Sequence, residues 1–103
     1  MNTQIYEQIC QLKRQLIPNE KVILFGSQVR GDEHEESDWD LLILLNKSKS
    51  EKDDFYNYGY PFTKMGWTNG TCIVPLIYTV AEWEMNKPSL FSINVEQEGI
   101  EII

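Results

Sequence analysis

The chain has 103 residues, with nine Lys or Arg against sixteen Asp or Glu and a net charge of -7 at pH 7. A chain of this length buries about 60–65% of its unfolded surface, enough for one modest core, so residues 1–103 are read as a single domain. The acidic balance excludes duplex nucleic acid as a partner held by phosphate neutralisation, and an anionic nucleotide would have to arrive with its own cations. No apolar run reaches the roughly 18 residues of a membrane span, and the polar N-terminus does not read as a signal peptide, so the expectation is a cytoplasmic protein with no membrane contact.

Residues 2–17 carry Ile5, Ile9, Leu12 and Leu16 at helical spacing, with Thr3 as a cap and Pro18 as a stop, which predicts an amphipathic helix. The apolar run 21–25 ends at Gly26 and reads as a buried strand. Between Gln28 and Glu36 the chain is polar and acidic, suiting one helical turn and a loop before a second buried strand from Asp38 to Leu45. Ser50 and Asp53 suggest a capping box opening a helix with Phe55, Tyr58 and Phe62 on one side, weakened at Gly59 and Pro61. Gly66 and Asn69-Gly70 mark a turn, and residues 71–79 form a third strand in which Pro75 requires an edge or a bend. Thr79 with Glu82 predicts a capped short helix, residues 88–97 a further helix stopped by Gly99, and residues 100–103 a strand or tail. The sum is a mixed α/β (α+β) domain, a short mixed sheet flanked by helices. Cys10 and Cys72 have no metal-ligand spacing and read as free buried thiols.

The chemistry concentrates between Gly26 and Asp40. A Gly at a strand end lets the backbone turn tightly and approach an anion, and Ser27 adds a hydroxyl there. Asp38 and Asp40, two apart on a strand, project from one face while Trp39 points away. Paired carboxylates beside a phosphate-binding turn are hard ligands for Mg²⁺, and carboxylates leading into a buried strand are costly unless paired or metal-bound. Two metals held there would activate a hydroxyl and stabilise a departing pyrophosphate.

Gly26-Ser27, ten intervening residues and Asp38-x-Asp40, with Arg30-Gly31 in the gap and Ser37 before the first Asp, resemble the signature of the DNA polymerase β-like nucleotidyltransferase superfamily. The short length is most similar to its prokaryotic branch, the minimal nucleotidyltransferases. The resemblance implies Gly26 and Ser27 as phosphate contacts and Asp38 and Asp40 as catalytic metal ligands for Mg²⁺. It also matches Arg30 to a basic residue that pairs with a phosphate oxygen, although Arg30 equally suits capping of the acidic loop. It implies a nucleoside triphosphate, chiefly ATP, whose nucleoside monophosphate passes to a hydroxyl acceptor. Small members are often antitoxins encoded beside a helical partner of the HEPN type, some adding AMP to that partner.

The family usually carries a third carboxylate on the next strand, expected here near residues 70–72, where the chain has Gly, Thr and Cys. Asp53, Asp54, Glu82 and Glu84 are the nearest acids in sequence, none at strand spacing. With two carboxylates alone, one metal rather than two is the expectation, and a catalytically degenerate binding module is the alternative function. His34 and the acids Asp32, Glu33, Glu35 and Glu36 read as a solvated loop. The aromatic run Phe55, Tyr56, Tyr58, Tyr60, Phe62 and Trp67 reads as core, with the alternative that part of it forms an exposed patch for a partner or for base stacking, and the small size of the chain admits a homo-oligomer.

Overall fold

The apolar spacing at the N-terminus folds as helix α1, Thr3–Leu16, in the computed structural model, which describes residues 1–31 and 38–103. Its cap is Asn2 rather than Thr3, because the Asn2 side chain accepts from the N–H groups of Gln4 and Ile5 at 2.9 and 3.1 Å. Strand β1, Lys21–Phe25, follows, then the single turn α2, Ser27–Arg30, and strand β2, Trp39–Leu45. A π-helical turn, Phe55–Gly59, runs into α3, Tyr60–Thr68, and strand β3 spans Ile73–Thr79. Helices α4, Val80–Met85, and α5, Leu90–Glu98, lead to strand β4, Ile100–Ile102.

The strands form one mixed sheet in the order β3-β2-β1-β4, with β1 antiparallel to both neighbours and β2 parallel to β3. A parallel pair needs a long crossover, and the segment containing α3 supplies it. The expected mixed α/β fold is therefore present. Pro75 is tolerated because β3 is an edge strand, as its missing donor requires.

Burial alternates along β2 between two cores, which explains why its sequence is apolar almost throughout. Trp39, Leu41, Ile43 and Leu45 lie in one core with Ile5, Ile9 and Phe62, beneath α1 and α3. Leu42 and Leu44 lie in the other with Trp83 and Val95 of α4 and α5. Asp40 shares this second face by its even position.

Several local expectations change. The Ser50–Asp53 box is replaced by Asp54, whose carboxylate accepts from the Glu51 N–H at 2.7 Å and from Lys47 at 2.6 Å, while the Ser50 hydroxyl donates to Glu82. Pro61 sits in the first turn of α3, where its missing N–H costs nothing, so the helix survives it. Gly66 lies inside α3 instead of in a turn; a Cβ there would come within 2.9 Å of Ile73, so its absence lets α3 settle on β3. The Thr79–Glu82 capping box forms as expected, and α5 is capped by Ser89 with Ser92. Cys10 is free and buried, whereas Cys72 is free but exposed, at the foot of β3. The aromatic run divides: Phe62 is fully buried, but Phe55, Tyr56 and Trp67 are 49%, 70% and 60% exposed. No helix among the described residues is long and apolar enough to cross a membrane.

Candidate functional site

Strand β1 ends at Gly26, whose φ of 86° is open to glycine and strained for other residues. Its carbonyl accepts from the N–H groups of Val29 and Arg30, both at 3.1 Å, which closes the single turn of α2. On the adjacent strand, Asp40 is half-buried, with its carboxylate in the space a Cβ at Gly26 would need. The turn and the carboxylate are thus in direct van der Waals contact, and only a residue without a side chain permits it. Ser27 is half-buried beside them, Asp38 is exposed immediately before β2, and Trp39 is buried in the opposite core.

The Asp40 carboxyl is held above its usual value, first by partial burial and then by the negative charge of Asp38, with the Arg30 guanidinium opposing both. Two carboxylates that repel one another at a half-dry position form a donor set suited to a hard divalent cation such as Mg²⁺. Among the described residues no group of three or more His, Cys, Asp or Glu converges as a metal cluster.

The parallel register explains the shortfall. Trp39 is level with Ile73 and Asp40 with Val74, and the Trp39 N–H donates to the Cys72 carbonyl at 2.9 Å. Cys72 and Val74 therefore project from the sheet face that carries Asp38 and Asp40. Neither is a carboxylate. Cys72 is exposed as a residue, yet its thiol is raised above the usual range by desolvation first, then by the charge of Asp38 and a hydrogen bond to it, and by Asp40. The acids near β3 in sequence lie elsewhere: Asp54 pairs with Lys47 beyond the C-terminal end of β2, and Glu82 caps α4 beyond the C-terminal end of β3. Both are at the far end of the sheet from Asp38.

One acid at the site escapes a reading of the sequence. Glu98, the last residue of α5, accepts from the Gly26 N–H at 3.3 Å and from Arg30 at 3.2 Å, through the same oxygen. It is 68 residues from Arg30, and only the pairing of β4 with β1 brings it there. Asp32, Glu33, His34, Glu35, Glu36 and Ser37, read from sequence as an acidic loop entering Asp38, lie outside the described residues.

A strand, a glycine turn and paired carboxylates on the neighbouring strand, set in a mixed sheet, define a nucleotidyltransferase fold. The chain belongs to the nucleotidyltransferase domain family, whose sequence model matches residues 4–91, well beyond the motif at 24–45. It is also similar in structure to a chain from a crystal structure of a toxin-antitoxin with AMP-PNP. The TM-score is 0.66 at 18% identity, covering 100% of this chain and 73% of that one. No curated protein matches the sequence. The resemblance to the nucleotidyltransferases is thereby borne out at the level of the family.

Proposed function

We propose that the chain, acting as one domain in the cytoplasm, binds a divalent-metal complex of ATP and transfers the nucleoside monophosphate to a hydroxyl on a helical partner protein of the HEPN type, the bond between the α- and β-phosphates breaking and pyrophosphate leaving. In this reading Gly26 and Ser27 contact the phosphates and Arg30 offsets their charge. Asp38 and Asp40 hold Mg²⁺. When bound, the cation withdraws charge from the phosphoryl group and favours ionisation of the acceptor hydroxyl. The protein's own contribution is positional: β1 and β2 fix the turn and the carboxylates on rigid elements, so the phosphates meet donors already oriented.

The contact between Gly26 and Asp40 carries the reading. A bare glycine backbone against a carboxylate, at the end of a strand, brings a phosphate donor and a metal ligand to one point. The structural likeness to a chain from a toxin-antitoxin crystallised with AMP-PNP supports both the nucleotide and a partner protein. Incubation with labelled ATP, Mg²⁺ and a HEPN-type partner should label the partner, and labelling that persists in the Asp38→Ala, Asp40→Ala double variant overturns the assignment.

A second reading, a nucleotide-binding module without turnover, is favoured by Cys72 at the position where a third carboxylate belongs. It is supported if Mg²⁺-ATP raises the melting temperature while no acceptor is labelled.

A further inference from the structure

We infer that Glu98 fills the place of a nucleotide phosphate from within the chain and so sets how tightly, and in what charge state, a nucleotide is accepted. The inference rests on the proposed phosphate contacts of Gly26 and Arg30. It adds a residue that the motif does not contain.

One oxygen, Oε1 of Glu98, accepts from the backbone N–H of Gly26 at 3.3 Å and from the Arg30 guanidinium at 3.2 Å. A backbone N–H and a guanidinium are the pair of donors that a phosphate oxygen uses, and a carboxylate oxygen carries the same charge and accepts from the same groups. The guanidinium has further N–H groups to offer, but the single Gly26 N–H cannot serve two anions. A phosphate reaching Gly26 must therefore displace Glu98 or be repelled by it.

The carboxylate is delivered by rigid elements. The Gly99 N–H donates to the Val95 carbonyl at 2.8 Å, and a Cβ at Gly99 would lie 2.5 Å from Ile23, so the end of α5 is pressed against β1. The chain then pairs at once, Ile100 opposite Leu24. The backbone of Glu98 has little freedom, whereas its side chain is 24% exposed and can swing into solvent. The bond from Arg30 lies at the upper limit of the normal range and the bond from Gly26 just beyond it, which suits a contact that a better ligand can replace.

Two consequences follow. Nucleotide binding is weaker than the donors alone would give, because each binding event breaks this contact. A nucleotide whose charge is reduced by a bound cation is also favoured over the free polyanion, because the displaced carboxylate remains nearby.

The test is calorimetric titration of the full chain with AMP-PNP, with Mg²⁺ and separately with EDTA. It compares wild type, Glu98→Gln, Glu98→Ala and the Asp38→Ala, Asp40→Ala double variant, with melting curves confirming that each is folded. Glu98→Gln keeps the shape and removes the charge, so it should bind Mg²⁺-AMP-PNP about tenfold tighter than wild type, a gain that shrinks as salt is raised. It should gain still more in EDTA. Glu98→Ala should also bind more tightly. If wild type binds, the double variant does not, and Glu98→Gln binds equally or more weakly, Glu98 merely positions Arg30 and the inference is overturned while the nucleotide site stands. If neither wild type nor Glu98→Gln binds, the proposed nucleotide site is overturned and this inference with it.

Discussion

Cys72 stands beside Asp38 at the open end of the parallel strand pair, close enough that the Asp38 charge helps to hold its thiol above the usual range. A carboxylate here would make a third acidic group on the face that carries Asp38 and Asp40. Cys72→Asp should therefore place three like charges together and lower the melting temperature in EDTA by about 4 °C, the equivalent of about 1 kcal/mol in a domain of this size. Millimolar Mg²⁺ should reverse that loss, and partner labelling should rise by about 100-fold, the scale of an added general base. If neither the Mg²⁺ response nor the labelling changes, the third carboxylate does not belong on this strand.

Gly26 and Gly31 both have positive φ, at 86° and 81°, but their surroundings differ. A Cβ at Gly26 would be driven into the Asp40 carboxylate, whereas among the described residues nothing lies within 4 Å of one at Gly31. Gly31→Ala should cost only the backbone strain of about 1–2 kcal/mol and leave nucleotide binding intact. Gly26→Ala adds the displacement of Asp40 and should cost about 2–4 kcal/mol while abolishing binding. Urea unfolding and nucleotide titration of the two variants make the comparison, and equal effects would show that the Gly26–Asp40 contact has no functional weight.

The part of the site that could be read from the sequence is the part built by neighbours along the chain. Gly26 ends a strand, Asp38 and Asp40 share a face by their spacing, and the lack of an acid near Cys72 is visible in residues 70–72; each needs only strand geometry. Glu98 was hidden because its role depends on β4 returning beside β1, and a three-residue strand leaves almost no periodic signal. The same limit applies to the caps. Asn2 replaced Thr3 and Asp54 replaced Ser50 because either residue type suits the position, and the choice rests on where the chain enters the helix. The aromatic run divides between its two readings for a related reason: a helix covering an edge strand buries one side, which takes Phe62 and leaves Tyr56 and Trp67 outside.

The Lys47–Asp54 pair gives a pH dependence of defined sign. Burial raises the Asp54 carboxyl, but the Glu51 N–H, the Lys47 hydrogen bond and the Lys47 charge outweigh it, so the group lies below its usual value. A carboxyl depressed on folding contributes stability that is present above its unfolded value and is lost as pH falls through the folded one. Wild type should exceed Asp54→Asn by about 1–2 kcal/mol at pH 7, the worth of hydrogen bonds to a charged group. That margin should hold down to about pH 4 and shrink below it. Lys47 is raised by the same contacts, so its share is constant through neutral pH and fades only in strong alkali. Denaturant unfolding of both proteins across the acid range checks this, and a margin independent of pH would mean that Asp54 acts through shape alone.

Tyr56 stacks on Tyr60 with ring centroids 5.7 Å apart, and Tyr60 meets Trp67 edge-on at 6.1 Å, forming a continuous aromatic ladder along the outer side of the helical crossover. Its two ends are 70% and 60% exposed, so the folded chain gains little from them. Tyr56→Ala with Trp67→Ala should cost less than about 1 kcal/mol, typical of surface positions with few partners. The Mg²⁺-ATP shift in melting temperature should be unchanged, because the ladder lies on α3 and the preceding turn, across the sheet from the face that carries Asp40. If the ladder is where a HEPN-type partner docks, the double variant should lose co-purification with the co-expressed partner and lose labelling in proportion. Retained co-purification moves the docking surface elsewhere, and a sedimentation profile that changes with protein concentration in wild type but not in the variant assigns the ladder to self-association instead.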